Sequence, residues 1–147
     1  MNRQFIRYTT ILGLFLILAV VSVEAQTPSK VEVNVPFDFS AGSANLKAGA
    51  YSVRRAGANG LLIRSADGKT AALVNAPLTI GSRDSKSGER LVFNRYGEQY
   101  FLSQVWLTVD TGRQLFTSNS EAKTAREYRL GKGVVKPQRV EIAARAR

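Results

Sequence analysis

The stretch LVFNRYGEQYFLSQVWLTV, residues 91–109, decides the fold. It is rich in aromatic and β-branched residues, which favour a pleated, half-buried surface. Gly97-Glu98-Gln99 interrupts it with turn material. The stretch therefore reads as two strands, 91–96 and 100–109, joined by a short hairpin. Asp110-Thr111-Gly112 supplies a second tight turn leading into Gln114-Leu115-Phe116, so the middle of the chain reads as a β-meander.

Working back from this hairpin, residues 61–65 and 70–74 form two more strand runs around Asp67-Gly68, a dipeptide that tolerates the positive φ of a hairpin turn. Ala76 to Ile80 is a short extended piece containing Pro77, and residues 81–88 have almost no apolar content and read as a mobile surface loop. Val31-Glu32-Val33-Asn34-Val35 alternates strictly, the period of a half-buried strand. Pro36 follows and cannot donate to a ladder, so this strand lies on an edge or bends there. Phe37-Asp38-Phe39 resumes the alternation, which turns Asp38 outward. Tyr51 opens another strand after Leu46-x-x-Gly49, a pattern similar to the tyrosine corner of Greek-key sandwiches, in which the hydroxyl bonds upstream backbone.

Working forward, the pattern changes at Ser118-Asn119-Ser120-Glu121, a capping box in which Ser118 caps the helix and Glu121 reaches back. A helix over about 119–130 is expected, with Gly131 as its C-cap and Ala122, Ala125 and Leu130 as a thin apolar stripe. Residues 134–142 add a final strand with Pro137 in its interior, so again an edge, and 143–147 form a basic tail. The expected fold is a single small β-sandwich or open barrel of about seven or eight antiparallel strands with one C-terminal helix.

The N-terminus is of another kind. Arg3 and Arg7 precede an apolar run over residues 11–23, and Val23-Glu24-Ala25 places a small residue before Gln26. A positive region, a short apolar core and a small residue at the cut are the order of a cleavable signal peptide, here 1–25. The apolar run is shorter than the roughly 20 residues of a spanning helix. The remaining domain, 26–147, is expected in the periplasm, on the outer surface or outside the cell. Its strands are too short and too often cationic for a membrane barrel.

Composition narrows the chemistry. The chain has no Cys and no His. Thiol chemistry, Ser-His and Cys-His dyads and ordinary zinc sites are therefore excluded, and no cofactor is implied. A Ser-Lys dyad or a carboxylate pair remains, but Asp67 and Asp110 lie in expected turns, Asp84 in the loop and Glu121 in the cap, so a hydrolase without His or Cys is only an alternative reading.

The formal charge is +10, and from Arg113 onward nine Lys and Arg face three Glu. Such an excess attracts polyanions: lipopolysaccharide, anionic exopolysaccharide, nucleic acid or anionic lipid. The plainer reading of the same charge is solubility. The cationic groups are Arg54-Arg55 and the set Lys123, Arg126, Arg129, Lys132, Lys136 and Arg139, the candidate polyanion-binding residues. Phe37 and Phe39 are expected on one strand face, and Leu102, Gln104 and Trp106 on another. Tyr96 and Tyr100, expected near the surface, form with Arg95 and Trp106 a candidate ligand patch.

Two segments carry a resemblance. Val35-Pro-Phe-Asp-Phe-Ser-Ala-Gly42 with Leu46-Lys-Ala-Gly-Ala-Tyr-Ser-Val53, and Arg95-Tyr-Gly-Glu-Gln-Tyr-Phe-Leu-Ser-Gln-Val-Trp106, resemble a group of small exported bacterial proteins with no assigned function. In that group proline typically stands at the position of Lys47 and histidine often at that of Asn94, so a histidine role would not carry over. The resemblance implies export and a β-rich fold, and no activity. The expectation is an exported, non-enzymatic binding or structural module of the bacterial cell envelope. Its partner would be anionic polysaccharide, lipopolysaccharide or another envelope protein.

Overall fold

A computed structural model describes residues 29–81, 88–132 and 136–147. The expected signal peptide, most of the expected mobile loop and the side chain of Lys132 lie outside the described residues.

The described residues form an open β-sandwich with one helix. The strands are β1 (Lys30–Val35), β2 (Phe39–Ala41), β3 (Ala44–Leu46), β4 (Gly49–Ala56), β5 (Gly60–Ser65), β6 (Ala71–Asn75), β7 (Leu78–Gly81), β8 (Arg90–Tyr96), β9 (Gln99–Trp106), β10 (Thr111–Gln114), β11 (Gln138–Ala143) and β12 (Arg145–Ala146). The helix α1 (Asn119–Lys132) lies between β10 and β11. Twelve strands replace the expected seven or eight, because the chain changes sheet often and each change cuts a run into shorter pieces.

The first sheet has the order β12-β1-β4-β5-β6, and the second contains β11-β8-β9-β10-β7 with the β2–β3 hairpin attached through a parallel bridge from Ser40 to Phe101. Prolines mark places where the chain leaves a ladder. Pro36 ends β1 before the chain crosses to β2, and Pro77 separates β6 in the first sheet from β7 in the second. Pro137 precedes β11, an edge strand as expected. The expected basic tail is instead β12, whose residues Ala146 and Arg145 pair with Val31 and Glu32.

Alternation puts one face of each sheet inside. Val31, Val33 and Val35 of β1, Val53 of β4, and Leu61 and Ile63 of β5 meet Phe39, Leu91, Phe93, Leu102 and Val105 from the other layer. Phe93 is fully buried and takes the ring edges of Phe37 and Phe39 at 5.2 and 5.3 Å. Such edge contacts set the attractive ring edge against the electron-rich face. At the corner before β4 the Tyr51 hydroxyl donates to the Lys47 carbonyl at 2.6 Å, the hydrogen bond expected of a tyrosine corner.

Two expectations about strand and helix geometry are corrected. Leu102 does not share a face with Gln104 and Trp106. Phe93 pairs with Leu102 while Val92 pairs with Gln104, so Ser103 is an extra residue in a bulge that reverses the parity of β9. Leu102 therefore enters the core and Trp106 turns to the outer face. The helix also runs on to Lys132, and Gly131 lies inside it rather than forming a left-handed cap.

Candidate functional site

The outer faces of the two sheets are the places where side chains can meet a ligand. That of the second sheet is mostly covered. Ser118 Oγ accepts the Glu121 amide N–H at 3.1 Å, the expected N-cap. The Glu121 side chain does not reach back to that cap. It turns under the helix, 4 % exposed, and accepts from the Asn94 amide at 2.8 Å and from the Tyr96 hydroxyl at 3.5 Å. Ala125 packs with Tyr96 and Phe101 beside it, and Tyr128 meets Tyr96 edge-on at 6.0 Å. Burial pushes the Tyr96 phenol up, and the charge of Glu121 pushes it further the same way. Leu130, expected in the apolar stripe, is 88 % exposed, because the inward face of α1 runs through Glu121, Ala125 and Tyr128.

Beyond the helix the same face closes in a ring of polar contacts. Trp106 Nε1 donates to Gln104 Oε1 at 3.3 Å, and Arg139 Nη2 donates to the same oxygen at 2.9 Å. Arg139 Nε donates to Glu141 Oε1 at 3.1 Å. Glu141 Oε2 lies 3.4 Å from Arg90 Nε, an ion pair whose N–H is not aimed well enough to be a hydrogen bond. The Arg90 guanidinium then sits over the Trp106 ring, 4.3 Å from its centre, which closes the ring. Trp106 has this room because Gly112 is its cross-strand neighbour: a Cβ there would stand 2.6 Å from the indole.

The expected patch of Arg95, Tyr96, Tyr100 and Trp106 is therefore not one surface. Tyr96 is buried beneath the helix, against the expectation that it reaches the surface, and Trp106 is buried in the polar ring at the far end of β9. Tyr100 stacks on Phe37 at 3.8 Å. Arg95 lies over Tyr100 and donates to the Gly97 carbonyl at 2.7 Å. The bulge at Ser103 and the docked helix separate residues that sequence spacing brings together.

Of the basic set, Lys123 and Arg126 stand exposed on the outward face of α1, Arg129 is exposed on its flank, and Lys136 is exposed beyond it. Lys123 has Glu127 at 4.0 Å, whereas Arg126 and Arg129 have no ion-pair partner among the described residues. Arg139 belongs to the polar ring and not to this stripe.

The outer face of the first sheet is open. It forms a trough of about 1100 Å³. Its floor is small, with Ala50 and Ser52 on β4 and Ser65 and Ala66 at the end of β5. Lys30, Arg54, Arg64 and Arg145 stand around it, with Glu32 and Asp67 as the acids. Register explains the arrangement. Arg145, Glu32, Ser52 and Arg64 face one another across four strands, so Arg145 and Arg64 stand about 14 Å apart at the Cα atoms. Lys30, Arg54 and Leu62 form the next row.

Both carboxylates are occupied. Glu32 takes Lys30 at 3.1 Å and Arg147 at 3.5 Å. Asp67 accepts from the Ser65 hydroxyl at 2.5 Å and the Lys69 amide at 3.0 Å, which hold its carboxyl below the usual range. Arg54, Arg64 and Arg145 have no ion-pair partner among the described residues. Sequence reasoning missed this set except for Arg54. The available signal was a cation at an outward position in each of several alternating strands.

A second, shallower hollow of about 300 Å³ lies by the β2–β3 hairpin. There the Lys47 ammonium, 2.8 Å from Asp38, and the Ala48 amide hold the Asp38 carboxyl low, and Asp38 in turn holds Lys47 high. Its charges are mutually satisfied. Among the described residues no group of three or more acids is placed to hold a metal. No family model, curated protein or solved structure matches the chain.

Proposed function

We propose that this chain is an exported, non-catalytic binding module of the bacterial cell envelope, and that it takes an anionic ligand in the trough of the first sheet. The observation that carries the reading is the pairing pattern: three guanidinium groups, Arg54, Arg64 and Arg145, border a floor of small side chains and form no ion pair among the described residues. Guanidinium forks suit planar carboxylates and tetrahedral sulfates or phosphates. Each acid of the trough is engaged by its own neighbours, which supports a binding role over a catalytic one.

The ligand chemistry narrows further. The trough offers no exposed ring for stacking, because Tyr51, the aromatic residue in its lining, is buried with the core. Single-stranded nucleic acid draws much of its affinity from such stacking. The outward face of α1 carries Leu130 among Lys123, Arg126, Glu127 and Arg129, not the broad apolar face that an interfacial helix sinks into lipid. Acidic polysaccharide, bound by charge and hydrogen bonds, fits both surfaces.

The test is binding of purified protein to a uronic-acid polysaccharide across a salt series. Binding should weaken steeply as salt rises. The variant Arg54→Ser/Arg64→Ser/Arg145→Ser should bind about tenfold more weakly at low salt. Binding by the triple variant at wild-type strength would overturn the trough as the site.

A further inference from the structure

The molecule has two cationic surfaces, and the layering sets them back to back. The trough is the outer face of the first sheet. The core lies between the sheets, and α1 covers the outer face of the second through Glu121, Ala125 and Tyr128. Of the cationic stripe, Lys123 and Arg126 are on the side of α1 turned away from that sheet, and Arg129 is exposed on its flank, close enough to act on the Tyr96 phenol. Packed sheets alone are about 10 Å apart, and the helix adds a further layer. A polymer strand lying in the trough cannot touch the stripe without turning round an edge of the sandwich.

The edges do not offer such a path of charge. At one side β6 presents Ala71, Leu73 and Asn75 outward, and Leu73 is 71 % exposed. On the same side β7 exposes Leu78. At the other side β12 carries Arg145 of the trough, followed by Arg147, which is held by Glu32, and β11 carries Arg139 and Glu141, whose charges are closed into the polar ring with Arg90 and Gln104. The two surfaces are thus separate, and each keeps guanidinium groups without an ion-pair partner among the described residues.

We infer that the protein bridges: it holds one acidic polysaccharide strand in the trough and a second on the outward face of α1, and so cross-links an anionic matrix. This rests on the trough reading above. Linking two weak sites in one rigid body raises the avidity of each for a matrix that presents many strands.

The experiment measures two things on the same samples: binding to a soluble uronic-acid polysaccharide, and light scattering as the protein-to-polymer ratio is raised. Bridging predicts scattering that rises and then falls as excess protein occupies strands singly. Arg126→Ser/Arg129→Ser should keep most of the binding and lose the scattering peak by at least severalfold. Lys47→Ser/Arg113→Ser removes the same charge from residues that neither line the trough nor belong to α1, and should keep the peak. Equal loss in both variants would mean general charge neutralisation and would overturn bridging. A full peak in the helix variant would overturn it too, while leaving the trough standing. Failure of the wild-type protein to bind the polymer at all would remove the trough reading underneath. An equally strong peak with single-stranded DNA of matched charge would overturn the assignment to polysaccharide.

Discussion

The two sheets are made of the same alternating strands, yet their outer faces have different fates. On the second sheet every outward side chain of β8 finds cover or a partner: Arg90 lies on Trp106, Val92 is buried, Asn94 holds Glu121, and Tyr96 lies under α1. On the first sheet the outward residues of β4 and β5, among them Ser52, Arg54 and Arg64, face an open trough. The difference begins with side-chain size. Trp106, Phe101 and Tyr96 expose too much apolar surface to be left in water, so a helix and a guanidinium cover them. Ala50 and Ser52 make no such demand. The covered face serves stability, and the open one can be given over to binding.

The largest effect that would test this contrast is at Trp106. Trp106→Ala removes a buried indole and leaves Arg90 with no ring beneath it and Gly112 facing a void. It should lower unfolding stability by about 3–5 kcal/mol, seen as a lower urea midpoint at unchanged slope. A loss near that of a surface substitution would mean that the polar ring does not hold the second sheet, and the contrast would fail.

A smaller effect is expected where the helix meets the sheet. Glu121→Ala leaves the Asn94 amide without its acceptor in a largely buried place. The cost should be about 1–3 kcal/mol. Glu121→Gln keeps an acceptor oxygen and should recover part of the loss. Hydrogen exchange would sharpen the reading: amides of α1 should lose protection in Glu121→Ala while those of β4 and β5 keep theirs. Uniform loss would mean that the helix and both sheets open as one unit.

Much of the fold was legible because local rules and burial agreed. The strict alternation at Val31 to Val35, the Asp67-Gly68 turn and the tyrosine at position 51 each pointed to the structure that formed; Gly68 does take a φ of 72°. The failures came where one residue changed a parity or a long-range partner took over a side chain. The extra residue at Ser103 sends Leu102 and Trp106 to opposite faces, and nothing local announces it. Glu121 had a local partner in the capping box, but Asn94, 27 residues away, offered a better-shielded one. The site was harder still. Exposed cations on one helix are visible as a run, as Lys123, Arg126 and Arg129 were. The trough gathers Arg54, Arg64 and Arg145 from three strands, and only the pairing register brings them to one face.

The smallest expected effect is the most telling about the open face. Arg64 stands exposed with its guanidinium packed over Gly68 of the β5–β6 turn, where a Cβ would lie 3.2 Å from Nη2, and it has no ion-pair partner among the described residues. If the face is free of structural duty, Arg64→Ser should change unfolding stability by no more than about 0.5 kcal/mol. Polysaccharide binding should nevertheless weaken measurably, and the salt dependence should become shallower, since one fewer cation displaces counterions from the polymer. Measured together, the two quantities separate the faces: at Trp106 stability carries the whole change, and at Arg64 binding should. A clear loss of stability at Arg64 would place that guanidinium among the groups that hold the turn. The trough would then be a by-product of folding, and its unpaired charge would no longer argue for a ligand.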